Sequence, residues 1–252
     1  MHIVTLDDRE TRMNDARRFW RTHALWPAVG FALALSLIAA FGLDRATAHA
    51  FFFNSSSRTW LGGAQGLWWA RDVIHADGRW LARGVAAVAL VAWIASFLSE
   101  RLQSWQRYAG FAFVALVLSM GIVGALKATT NVDCPWDLAE FGGDRPYVSL
   151  FADRPDSLPH AGCFPGAHAS SGFAFMFGYF LLRDGARRRA RWVLVGAVLL
   201  GIAFSIGQEA RGAHFISHDL TSAAIVWFLQ LFLYAWLIQG RRAIEDSRVE
   251  SR

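Results

Sequence analysis

Long uncharged apolar runs, separated by short charged or proline-bearing segments, make up most of this chain. They cover residues 24–43, 84–99, 108–126, 169–182, 192–208 and 220–239. Most approach the roughly 17–25 residues that a helix needs to cross a bilayer. The shorter runs beginning at Gly84 and Ala169 are completed by their flanks, or by Trp and Arg at the interface. The runs are continuously apolar, whereas the strands of a membrane barrel would alternate. The pattern therefore predicts an all-α integral membrane protein, a bundle of six transmembrane helices. It divides into a polar arm at 1–23, a membrane domain at 24–240 and a charged tail at 241–252.

The connecting segments differ in character. Residues 44–80 carry Phe51, Phe52, Phe53, Trp60, Trp68 and Trp69. That is too many aromatics for a solvated loop, and it places the stretch on the bilayer surface. Residues 128–164 hold Asp133, Pro135, Pro146, Pro155 and Pro159 and are expected to be irregular. A connection of that length carries function or covers a site. The last connection, around 209–216, is short and contains Arg211 and His214.

Composition supports the membrane class: 54% of the 252 residues are hydrophobic and 14% aromatic, too apolar for one soluble domain. The net charge of +5 would suggest nucleic acid for a soluble protein. Here it is a topology signal, and no nucleic-acid partner is expected. Arginines gather in the N-terminal arm, at 101–107, at 183–191 and in the tail, all on one side of a six-span layout. The positive-inside rule then puts both termini in the cytoplasm, as in a bacterial inner-membrane protein. The first apolar run is too long for a cleavable signal. Cys134 and Cys163 share the connection expected in the periplasm, where a disulfide would close a loop worth about 3–4 kcal/mol. The alternative is two unrelated buried thiols.

Candidate chemistry lies at the ends of the apolar runs. Lys127, the only lysine, closes the run 108–126, and a cation at that depth needs an anion or water. Pro165, Gly166, Ala167 and His168 predict a helix start, with proline at the first position and backbone N–H groups open to an anion. His168 then falls in the first turn. Arg211, His214 and His218 would share one face if their segment is helical, with Asp219 beside them. The His-x-x-x-His spacing also suits a metal.

These three segments resemble the three-part signature of the type 2 phosphatidic acid phosphatase superfamily. Its first part is Lys, six residues, then Arg-Pro; its second is Pro-Ser-Gly-His. Its third is Ser-Arg, five residues, His, three residues, Asp. The resemblance covers about residues 127–219 and implies a lipid phosphatase with a phosphohistidine intermediate. It makes His214 the nucleophile, His168 the general acid and Lys127 a phosphate ligand. The chain departs from the signature at several points. Cys134-Pro135 stands where Arg-Pro belongs, and Gly166 and Ala167 replace Ser and Gly. Gln208 stands six residues before His214, with Arg211 only three before it. His218 stands four residues after His214, with Asp219 one further on. Arg211, Arg145 and the amides of Gly166 and Ala167 are the candidates to supply the missing positive charge. His218 or Asp219 would orient His214.

The scheme needs no metal or cofactor. The expected substrates are phospholipid, prenyl-phosphate or lipid A-type phosphates, and the sequence leaves the oligomeric state open. One alternative is a lipid phosphotransferase of the same superfamily. Another is a metal-dependent membrane enzyme with His168, His214 and His218 as ligands. A transporter or scaffold would hold its charges near the membrane midplane at broken helices, whereas here they gather at one face.

Overall fold

A computed structural model of the chain describes residues 6–63 and 78–240. Trp68, Trp69 and the tail 241–252 lie outside the described residues. Helix α1 (Leu6–Trp20) runs through a wide π-type turn (Arg21–Leu25) into α2 (Trp26–Phe41), and a short α3 (Leu43–Thr47) follows. Two antiparallel strands, β1 (Phe53–Asn54) and β2 (Thr59–Trp60), form a hairpin with Phe53 opposite Trp60. Then come α4 (Gly78–Leu98), α5 (Glu100–Gln103) and the long α6 (Gln106–Thr129). After an irregular connection lie α7 (Ala167–Phe173), α8 (Phe177–Leu182), α9 (Arg187–Ala210) and α10 (Ile216–Tyr234), the last continued by a π turn to Gln239.

Among the described residues, five helices are long and apolar enough to cross a membrane: Met13–Phe41, Trp80–Leu98, Gln106–Thr129, Arg187–Ala210 and Ile216–Gln239. The chain is an integral membrane protein by that measure. The first of them starts well before residue 24, because the arm is helical and continuous with the span. The apolar run 169–182 forms a shorter helix pair, Ala167–Leu182. At 1.5 Å per residue it reaches roughly 24 Å, against a hydrocarbon core of about 30 Å. Residues His168 to Phe173 are all buried, and α7 packs against α4, α6, α9 and α10 at the centre of the bundle.

Two features seat that central helix. A Cβ on Gly172 would come within 2.8 Å of the Gly201 Cα, and one on Gly201 would enter the Phe173 ring. Glycine at both positions therefore lets α7 and α9 cross backbone to backbone, as small residues do between membrane helices. Where α7 gives way to a 3-10 turn (Ala174–Met176), the buried Gln230 amide of α10 donates to the Ala174 carbonyl at 2.7 Å and to Ser119 of α6 at 3.1 Å. The Gln230 amide is thus satisfied by α6 and α7 at the centre of the bundle.

The main core, with Phe111, Phe173, Phe180, Val226, Leu231 and Tyr234, joins α6 to α10. At one end of the bundle the N-terminal helix is tied in. His23 is hydrogen-bonded to Tyr179 at 2.6 Å, and Trp227 donates to the His23 carbonyl at 2.7 Å. At the other end the hairpin and the connection between α6 and α7 fold together. Phe53, Leu138, Phe141 and Phe215 form a second cluster with Trp60 against it. Phe53 and Trp60, expected on the bilayer surface, are packing residues of this cap, while Phe51 stays 70% exposed.

Candidate active site

The site is assembled around residues 161–166, an extended segment held on both sides. The Ala161 and Cys163 N–H groups donate to Asn131 Oδ1 (2.9 Å) and the Val132 carbonyl (3.0 Å), just beyond α6. Cys163 is disulfide-bonded to Cys134, with Cα atoms 5.1 Å apart, and the Thr130 hydroxyl donates to the Phe164 carbonyl. On the far side, Gly166 N–H donates to the His218 carbonyl (3.0 Å), and the Ser222 hydroxyl donates to the Gly166 carbonyl (3.0 Å). The segment thus couples the end of α6 to the start of α10.

Helix α7 begins at Ala167 with Gly166 as its cap, so Pro165 lies just outside the helix instead of at its first position. His168 is in the first turn as expected, buried, its ring stacked at 5.0 Å on Phe204 of α9. A side chain at 166 would run into the Asp219 carboxylate, so the capping turn and α10 meet with no space between them.

The segment carrying Arg211, His214 and His218 is not one helix, which corrects the expectation of a shared helical face. Helix α9 stops at Ala210, and Gly212 takes a φ of 73°. Its N–H bonds the Glu209 carbonyl and the Ala213 N–H bonds the Gln208 carbonyl, both at 2.9 Å. That pair of bonds is the Schellman closure, which only a left-handed residue after the C-cap permits. The Trp60 ring fills the space where a Gly212 side chain would stand. Arg211 is therefore the C-cap, with its guanidinium 3.3 Å from Gln208 Oε1. His214 lies in the turn, and His218 and Asp219 lie in the first turn of α10.

His214 is 4% exposed, and its Nδ1 is 2.8 Å from the Cys163 carbonyl oxygen. A carbonyl can only accept, so Nδ1 carries the proton and Nε2 keeps its lone pair. Burial, followed by the charges of His218 and Lys127, pushes the His214 imidazole well below the usual histidine range. It is neutral at pH 7. The His214 and His218 rings meet edge to face at 5.8 Å. His168 and Lys127 are both close enough for their charges to act on His214, and Lys127 and Asp219 act on one another.

Lys127, His168, His214, His218 and Asp219 are therefore brought to one end of the bundle, with Gly166, Ala167 and Arg211 on the turns that border them. Arg145 is engaged elsewhere in the cap. It lies 2.7 Å from Asp133 Oδ1 and 3.7 Å from Asp137 Oδ2, and Arg154 binds the same Asp133 carboxylate. Among the described residues, no three His, Cys, Asp or Glu side chains are grouped to hold a metal ion. The His168–His214–His218 set of the metal-dependent alternative thus lacks the required grouping.

Three supporting groups escape the sequence motifs. One is the Cys163 main-chain carbonyl. Another is Asp44, which binds the N–H and hydroxyl of Ser217 beside the site. The third is Glu209, buried near Asp44 and Asp219. None has a local signal: the Cys163–His214 and Asp44–Ser217 contacts join elements far apart in the chain, and Glu209 falls in no motif.

Comparison with curated proteins and with solved structures finds no match to this chain. A family model does match: that of the PAP2 superfamily, over residues 108–242, a stretch that contains Lys127, His168, Arg211 and His214. With more than half of its length covered by that match and the same residues gathered at one end of a helical bundle, the chain belongs to the PAP2 superfamily of phosphatases and phosphotransferases.

Proposed function

We propose that the protein hydrolyses a lipid phosphomonoester or pyrophosphate through a phosphohistidine on His214. The observation that carries this reading is the hydrogen bond from His214 Nδ1 to the Cys163 carbonyl, which fixes the ring proton on Nδ1 and leaves the Nε2 lone pair as the nucleophile. Phosphoryl transfer asks a protein chiefly for alignment and for positive charge against the equatorial oxygens. Lys127 and Arg211 supply charge, and the Gly166 and Ala167 amides supply donors at the capping turn. His214 Nε2 attacks phosphorus, the bond to the lipid oxygen breaks, and His168 gives that oxygen a proton. Water then attacks the phosphohistidine with His168 as base, releasing phosphate and restoring neutral His214. His218 and Asp219 shape the wall beside the nucleophile.

A lipid would keep its tails in the bilayer and present its headgroup to the end of the bundle where these residues meet. That end is opposite the arginine-rich 183–191 connection, so the positive-inside rule faces it to the periplasm of an inner membrane with six spans. The test is phosphate release by detergent-purified protein from phosphatidate, phosphatidylglycerol phosphate, a prenyl pyrophosphate and lipid A. Release that persists in chelator and vanishes in His214→Ala and His168→Ala supports the reading. Labelled phosphoryl recovered on an acceptor lipid instead of in water assigns the phosphotransferase. Full release by His214→Ala removes the proposed nucleophile.

A further inference from the structure

The disulfide and the nucleophile belong to one closed chain of contacts. The turn that carries His214 begins at Gly212, whose carbonyl accepts from the Trp136 N–H at 2.9 Å. Trp136 lies two residues from Cys134, and Cys134 is bonded to Cys163. The Cys163 carbonyl then receives His214 Nδ1 at 2.8 Å, returning to the turn where the circuit began. Both cysteines are buried. Two hydrogen bonds and the disulfide close this circuit, and short stretches of main chain join them.

We infer that the Cys134–Cys163 disulfide is a positioning device for His214: it fixes the Cys163 carbonyl that selects the Nδ1–H tautomer and aims Nε2 at phosphorus. This rests on His214 being the nucleophile of the proposed reaction. The usual device for such a task is a carboxylate on the ring nitrogen remote from the reacting one. Here a main-chain acceptor takes that place, and a backbone carbonyl can be held only by holding its chain. Hydrogen bonds from Cys163 N–H to Val132 and from Thr130 to the Phe164 carbonyl anchor the segment on the α6 side. The disulfide ties it covalently to the Cys134–Trp136 turn that grips Gly212.

The test uses the full chain in detergent, with its histidines labelled with nitrogen-15 and the His214 signal assigned by His214→Asn. Long-range proton–nitrogen correlation reads the tautomer of His214 in oxidised protein, after reduction by a water-soluble phosphine, and in Cys134→Ser/Cys163→Ser. The phosphine takes oxygen from one water to become its oxide, and the disulfide gains two electrons and two protons to become two thiols. Oxidised protein is expected to show only the Nδ1–H form. Reduced and double-serine proteins should show mixed tautomers, a kcat lower by about tenfold or more, and a KM changed less than about threefold. Reoxidation should restore both. An unchanged tautomer or unchanged kcat with two titratable thiols overturns the inference. So does loss of helical circular dichroism on reduction, since the disulfide would then hold the whole fold. If oxidised protein releases phosphate from no lipid, the proposed function fails, while the tautomer measurement still decides the positioning role.

Discussion

Asp44 caps helix α10 from outside that helix. Its carboxylate accepts from the Ser217 N–H at 2.9 Å and from the Ser217 hydroxyl at 2.6 Å, and Ser217 is the second residue of α10. The first N–H groups of a helix have no partner within it, and here an acid from α3 supplies one. The phenyl group of Phe215, the residue in the capping position, cannot do so. The same first turn carries His218 and Asp219, so this contact sets where the wall of the site stands.

Asp44→Ala should therefore lower stability by about 1–2 kcal/mol, the range for a lost helix cap, and reduce phosphate release with it. Asp44→Asn keeps an acceptor for the N–H and should lose less of both. Thermal unfolding in detergent and the lipid phosphatase assay measure the two effects. Equal losses for alanine and asparagine would show that the carboxylate charge, not the cap, matters.

The acid role of His168 predicts a leaving-group dependence. His168→Asn should lower kcat on a lipid phosphate by about 10²–10⁴, the usual worth of general acid catalysis. An aryl phosphate leaves without needing a proton, so the same variant should lose much less on that substrate. His214→Asn should be inactive on both and should form no acid-labile, alkali-stable phosphoenzyme from labelled substrate. Equal losses of His168→Asn on both substrates would place His168 in the second, hydrolytic step.

Much of this arrangement is legible in sequence, and the remainder is not for definite reasons. Lys127 at the end of an apolar run, His168 after Pro-Gly-Ala and His214 three residues beyond Arg211 are local patterns, and they converge. The membrane class follows from continuous apolar runs. Residues 169–182 are the least decided by composition, because burial at the centre of a bundle demands the same apolar composition as a span. The three-and-four spacing of Arg211, His214 and His218 suggests a helix that Gly212 in fact interrupts. Trp60 resembles an interfacial anchor until the hairpin folds it onto Gly212. Arg145 answers to Asp133, a partner that its own segment does not announce. Contacts such as Asp44 with Ser217 join residues 173 apart, and no periodicity encodes them.

The Asp133 network predicts loss of stability in acid. Burial would raise the Asp133 carboxyl, but hydrogen bonds from Arg154 and Arg145 outweigh it and hold the group below its ordinary value. A carboxyl depressed in the folded state contributes stability that is present above the unfolded value near 4. That contribution is lost as pH falls through the folded one. Glu140, held down against its own burial by Arg45 and His49, adds to the same trend. The contribution of this network, read as the difference in unfolding temperature between wild type and Asp133→Asn, should therefore be constant from pH 7 to about 5 and shrink below about 4. Asp133→Asn should remove part of the wild-type slope in acid. At neutral pH it should cost on the order of 3 kcal/mol, since the largely buried Arg154 loses its partner. A variant that keeps the wild-type acid slope would show that other carboxylates govern it.

Gly212 and Trp60 supply the last prediction, because two separate penalties meet at one atom. A Cβ on Gly212 has to exist in left-handed backbone at a φ of 73°, and it also has to occupy space that the Trp60 indole fills. The first penalty is about 1–2 kcal/mol and belongs to the backbone alone. The second depends on the indole and disappears when the ring is removed. Gly212→Ala should be strongly destabilising in the native background and should cut activity, since it displaces the turn two residues before His214. In a Trp60→Ala background the same substitution should cost only the backbone part. The double-mutant cycle should therefore show a coupling of about 1–3 kcal/mol between these residues, in the sense that each change softens the other. Strict additivity in thermal unfolding would mean that the hairpin moves freely with respect to the α9–α10 turn. The hairpin would then be no part of what holds His214 in place.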